Sequence, residues 1–220
     1  MTEKSGSRFR EGKWVFEGAS VADLAALALL TAIALAFAWP GFSVGWSIGD
    51  EMNTALVAHK YSPADYFFDP RIYRLHNHAA LTPWAIFSYE LDLQIASFWL
   101  GERDPQAWVT RLHQGLSGAL LLGVTYFFLR GWLLPSLALV TTAIFSLSWP
   151  AVDAYTATTS RHYVEGGIFA VLSLMAYFHA GRIPGGSVVA LRVLSAFLFL
   201  LALTAKEVFA PLPVFLFLIE

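Results

Sequence analysis

Long apolar runs separated by short polar stretches dominate the chain, and their lengths carry the first reading. Ser20 to Trp39 is the first apolar run, and at 1.5 Å per residue it covers roughly the 30 Å of a bilayer core. Trp108 to Leu129 and Leu133 to Trp149 predict two further crossings turned by Arg130 and Gly131. Ile168 to Ala180 predicts a shorter one, with Arg182, Pro184 and Gly185 after it. From Val188 to Ile219 the chain is almost wholly apolar; as one helix this would be about 48 Å long, too much for a bilayer, so Lys206, Glu207, Pro211 and Pro213 must break it. The expected fold is all-α, a polytopic integral membrane protein of about six transmembrane helices. Its last span is cut at Glu220, and the chain reads as truncated there.

Two stretches depart from this pattern. Pro40 to Ala80 mixes acids, histidines, Lys60, Arg71 and Arg74 with aromatic residues, the composition of a long but ordered loop. Leu81 to Leu100 is apolar yet carries Glu90 and Asp92 at its middle, where each charge would cost several kcal/mol against lipid. It is therefore expected as an interfacial helix in the first outer loop. Pro150 to Gly167 forms a second polar loop. The chain divides into a cytoplasmic tail over 1–19 and a membrane module over 20–220, with outer loops over 40–107 and 150–167. Lys4, Arg8, Arg10 and Lys13 precede the first run, which is too long for a signal-peptide core, so it is read as a retained anchor with its N-terminus in the cytoplasm. With 81–100 on the surface, seven of the 14 basic residues lie inside; with that stretch spanning, eight do. Charge alone does not choose between them.

Composition sharpens the class. Hydrophobic residues make up 57 % of the chain, aromatic residues 15 % and charged residues 14 %, and the mean hydropathy is +0.57. These values exclude a disordered chain, a nucleic-acid module built on a basic patch, and a soluble enzyme. The absence of cysteine excludes disulfides, thiolate metal sites and a cysteine nucleophile.

Chemistry must then come from the ionisable groups beside the apolar runs. Asp50 and Glu51 stand in WSIGDEMNTALVAH; Asp50 is placed to cap a short helix, to act as a general base for a hydroxyl, or to bind a metal. His76 and His78, in RLHNHAALTPW, do not share a helix face and lack a third ligand nearby, so hydrogen bonding in the loop or to a head group is their expected role. Asp153, Arg161 and Glu165 belong to WPAVDAYTATTSRHYVEGG, either an interfacial turn with its tyrosines in the aromatic belt or a functional edge of a span. Arg111 opens its span, where it either snorkels or holds a phosphate. Lys206 and Glu207 either pair or line a wet pocket. A transporter or channel path through Asp153, Glu165, Lys206 and Glu207, and a scaffold without chemistry, are the readings set against an enzyme.

The order of these pieces resembles the N-terminal part of the GT-C membrane glycosyltransferases, which include the protein O-mannosyltransferases, the lipid A aminoarabinose transferases and the oligosaccharyltransferase catalytic subunits. The resemblance runs through the DE pair, HNHAAL, the arginine of TRLHQGLSGALLLGVTYFFLR, TSRHYVEGGIFAVLSLMAYF and TAKE. Ala79 and Ala80 stand where the family has prolines, and Glu165 where many members have aspartate. The resemblance implies transfer of a sugar from a polyprenyl-phosphate donor, similar to dolichyl-phosphate mannose, to a hydroxyl of a lipid, glycan or protein acceptor. The transfer would take place at the outer face, whether periplasmic, extracellular or lumenal. It implies Asp50 as general base with inversion and Glu51 in support, and Arg111, Arg161 and Lys206 on the departing phosphate. Arg74, His76, His78, Asp153, Glu165 and Glu207 would support these groups or bind acceptor. No cofactor is required; the divalent ion of the oligosaccharyltransferase branch, Mg²⁺ or Mn²⁺, would fall to Asp50, Asp153 and Glu165. Membrane lipids are the surroundings, and no nucleic acid is expected.

Overall fold

The computed structural model describes residues 20–46, 50–72, 82–101, 103–182 and 187–219, with the side chains of Asp50, Phe215, Leu218 and Ile219 outside the description. Described elements are all helical: α1 Val21–Ala38, α2 Asp50–Lys60, α3 Pro63–Phe68, α4 Pro83–Leu100, α5 Ala107–Arg130, α6 Pro135–Ser146, α7 Trp149–Thr156, α8 Arg161–Ala180, α9 Ser187–Ala205 and α10 Leu212–Ile219. Their starts follow local chemistry. Ser20 and Asp23 form a capping box ahead of α1, and proline occupies the first turn of α3, α4, α6 and α7, where its missing N–H leaves nothing unsatisfied. Gly101 ends α4 in the left-handed conformation, φ 73°.

Four stretches are long and apolar enough to cross a membrane: Val21–Ser43, Ala107–Arg130, Thr158–Ala180 and Ser187–Ala205. A fifth arises if Pro135–Ser146 and Trp149–Thr156, bent by 67°, form one broken span. Six are therefore not reached among the described residues, because α10, after the expected break at Lys206, has only eight residues. α4 is not among the four. The stretch expected as a loop over 150–167 is helical for most of its length, since Pro150 starts a helix instead of preventing one and α8 begins seven residues before the expected Ile168.

Helix α5 is the centre, packed against α1, α6 and α8, while α8 and α9 run antiparallel along each other. Leu30, Ala34, Leu122, Tyr126, Ala138, Tyr155 and Val164 form the main core. The Ser173 and Ser195 hydroxyls each donate to the other's backbone carbonyl, at 2.8 and 2.9 Å, and tie α8 to α9. At one end of the bundle Tyr126 and Arg130 of α5 donate to buried Asp23 of α1, at 2.5 and 3.1 Å. A second core, Ala55, Ala58, Tyr66, Ile86 and Leu93, joins α2, α3 and α4 into a helical layer between α1 and α5 in the chain. It packs on the N-terminal ends of α5 and α8 and on α9: Trp84 meets Phe169, Ser88 meets Glu165 and Asp92 meets Arg161. That order runs α4 antiparallel to the first turns of α8.

Two outcomes test this arrangement. A Cβ at Gly115 would stand 3.1 Å from the Ala38 Cβ and 3.3 Å from the Leu35 side chain, whereas none of the surrounding atoms comes within 4 Å at Gly45. Gly115→Leu is therefore expected to destabilise by about 1–3 kcal/mol, seen as a lower melting temperature in detergent, and Gly45→Ala to leave it unchanged. Single cysteines at Ser62 and Thr159, both exposed, should react with an impermeant thiol reagent from the same side of intact cells, and a cysteine at Ser187 only after permeabilisation.

Candidate functional site

Where α5 and α8 begin, the sequence places ionisable residues in helices that are otherwise apolar, and desolvating them is tolerable only if they pair. Arg161, the first residue of α8, is 1 % exposed. Its Nη1 donates to Asp92 Oδ2 at 2.7 Å and to Ser88 Oγ at 3.1 Å, and its Nη2 to the Thr110 carbonyl at 2.9 Å. The guanidinium also lies 4.5 Å from the Tyr89 ring centroid, close enough for a cation–π contact. Asp92 accepts further bonds from Thr110 Oγ1 at 2.9 Å and from His113 Nδ1 at 2.7 Å. Burial pushes the Asp92 carboxyl up, but Arg161 and His113 outweigh it and hold the group below its ordinary 3.8.

His113 connects this pair to Glu165. Its Nε2 faces Glu165 Oε1 at 3.3 Å, and Glu165 also accepts from Ser88 Oγ and Trp84 Nε1, each at 2.7 Å.

Beside this group, Glu51 is 1 % exposed. It accepts from the Thr158 hydroxyl and from Arg111 Nη2 at 3.4 Å, while Arg111 also donates to the Gly45 carbonyl at 3.3 Å and the Thr156 carbonyl at 3.5 Å. Tyr89 joins the two halves: its ring carries Arg161 and its hydroxyl donates to the Thr158 carbonyl at 3.3 Å. Burial pushes that hydroxyl up to about 12. Arg111, Arg161 and His113 thus lie among Glu51, Asp92 and Glu165. Glu90, on another side of α4, accepts both Arg103 contacts at 2.8 Å, with Gln94 at 2.6 Å and Tyr66 at 3.3 Å.

Of the residues singled out in the sequence, Glu51, Arg111, Arg161 and Glu165 converge here. Asp50 opens α2 directly before Glu51; its side chain lies outside the described residues, as does the segment with Arg74, His76 and His78. Asp153 is exposed on α7. Lys206 lies outside the network, 3.5 Å from Glu207 and 5.4 Å from the Tyr163 ring centroid, and the Glu207 side chain is 62 % exposed. Both Glu165 oxygens are engaged, and no group of three potential metal ligands occurs among the described residues, which do not include the Asp50 side chain.

His113, Ser88, Trp84, Tyr89 and Thr158 were not expected at a site. Spacing carried part of the signal, since Trp84, Ser88 and Asp92 recur every four residues, as do Thr110 and Gln114, marking one polar face on each helix.

Removing the Asp92 charge tests the network. Asp92→Asn leaves Arg161 and His113 without their carboxylate and should cost about 3–5 kcal/mol at neutral pH. Because the Asp92 carboxyl is held low, its contribution is fully present above 3.8 and is lost as pH falls through its lower folded value. Melting curves should therefore fall on acidification below 3.8 more steeply for the wild type than for Asp92→Asn.

No family model, curated protein or solved structure matches this chain.

Proposed function

We propose that the chain forms the membrane-facing core of a glycosyltransferase that uses a polyprenyl-phosphate sugar, with its reaction centre at Asp50. The observation that carries this reading is the convergence of Glu51, Asp92, Arg111, His113, Arg161 and Glu165, drawn from α2, α4, α5 and α8, into one buried network next to the start of α2. Exposed Trp39 and Trp108 at the same end support placing it at a membrane interface, where the head group of a lipid-linked donor would lie.

In this reading Asp50 takes the proton of the acceptor hydroxyl as that oxygen bonds to the anomeric carbon. The bond from the carbon to the phosphate oxygen breaks, the electron pair leaves with the phosphate, and the configuration inverts. Arg111, paired with Glu51 in the first turn of α2, is the candidate for stabilising the leaving phosphate, with Lys206 as a second. Arg161 is buried with both terminal nitrogens engaged and its Nε without a partner, and its role is to hold α4 against α5 and α8. The acceptor is a hydroxyl of a lipid, glycan or protein.

A conducting path is less well supported. Ionisable groups gather at the two ends of the bundle, at Arg161 and at Asp23, and the core between them is Leu30, Ala34 and Leu122. Asp50→Asn, assayed in proteoliposomes with polyprenyl-phosphate sugars and a hydroxyl acceptor, should lower transfer by about 10²–10⁴-fold with an unchanged melting temperature. Undiminished transfer, or ion-coupled flux lost on Glu165→Gln, would sink the proposal.

A further inference from the structure

A groove between α8, α9 and α10 takes no part in the network above. Its volume is about 470 Å³, within the range of small-molecule sites, and its lining is part polar and part apolar. Arg192 and Tyr177 contribute polar groups to it, and Phe199, two turns along α9 from Arg192, contributes apolar surface together with Leu212 and Leu216 of α10. Ser173 and Ser195 lie between, their hydroxyls already bonded to each other's backbone. Because α8 and α9 are antiparallel with Ser173 opposite Ser195, Arg192 stands toward the end of the bundle remote from Arg161. It lies five residues into α9, roughly 7.5 Å from its start.

Arg192 is the one charged residue of α9. It is exposed, and none of the described carboxylates pairs with it. A guanidinium on an apolar helix needs an anion or the interface, and its fork of donors fits a phosphate. Free phosphate would leave the apolar part of the groove unused, and a purely apolar ligand would leave Arg192 unmatched.

We propose that this groove binds a membrane phospholipid from the leaflet opposite the Asp50 loop, its phosphate on Arg192 and an acyl chain along Phe199 and Leu216. The site shares no residue with the glycosyl-transfer reading and stands independently of it.

The test uses the full chain, delipidated in neutral detergent and titrated with dioleoylphosphatidylglycerol, with bound lipid counted by native mass spectrometry. Wild type should bind saturably, and Arg192→Gln about tenfold or more weakly. Ala196→Phe narrows the groove from its wall while keeping the arginine, and should weaken binding to a similar extent. Glycerol phosphate, which has the anion without chains, should not compete. Equal lipid binding by all three proteins overturns the proposal, as does an effect confined to Arg192→Gln or full competition by glycerol phosphate. If Arg192→Gln fails to fold, Ala196→Phe against wild type decides alone.

Discussion

Burying a guanidinium is among the most expensive acts a fold can perform, and Arg161 is buried almost completely. Isolated, it would destabilise the junction by several kcal/mol; placed against Asp92, with Ser88, the Thr110 carbonyl and the Tyr89 ring completing its surroundings, it becomes the link among three helices. The position of α4 depends on this pair. Through the second core α4 then holds α2 and α3, and through Thr158 and Arg111 the first turn of α2 is held a second time. Asp50 therefore begins a helix secured from two directions.

The two ends of the bundle solve the same electrostatic problem at different scales. At one end Asp23 is met by Tyr126 and Arg130 across a single helix pair, a compact lock between α1 and α5. At the other, three carboxylates, two arginines and a histidine are shared among four helices and extended by Trp84, Ser88, Tyr89, Thr110 and Thr158. A lock needs only to balance charge. The larger network also sets polar groups beside the start of α2. Between the ends, small residues allow close helix contact: Gly115 faces Ala38, and Gly166 faces Ala205 and the Phe209 ring.

Much of the outline was legible along the chain. The apolar runs became helices, the break at Lys206 occurs where an overlong run and a Lys–Glu pair required one, and Glu90 and Asp92 are buried against arginines instead of facing lipid. The misreadings have local causes. Pro150 was taken to mark a loop, but proline also suits the first turn of a helix. The polar residues of TSRHYVEGG obscured the start of α8, because their polarity is satisfied by partners distant in sequence, not by solvent.

By itself the sequence determined that the long apolar runs are helical and that the acids and bases within them need partners, because helix length, periodicity and desolvation cost are properties of local composition. It did not determine which charge meets which. Asp92 and Arg161 are 69 residues apart, Glu51 and Arg111 60, Glu51 and Thr158 107. Arg161 has acids available at Asp153 and Glu165 on its own stretch, yet its shortest ion pair is with Asp92 on α4. Only tertiary packing decided that, because a charge removed from water is stabilised by the groups brought within about 3 Å of it, and which groups those are depends on how α4 crosses the ends of α5 and α8.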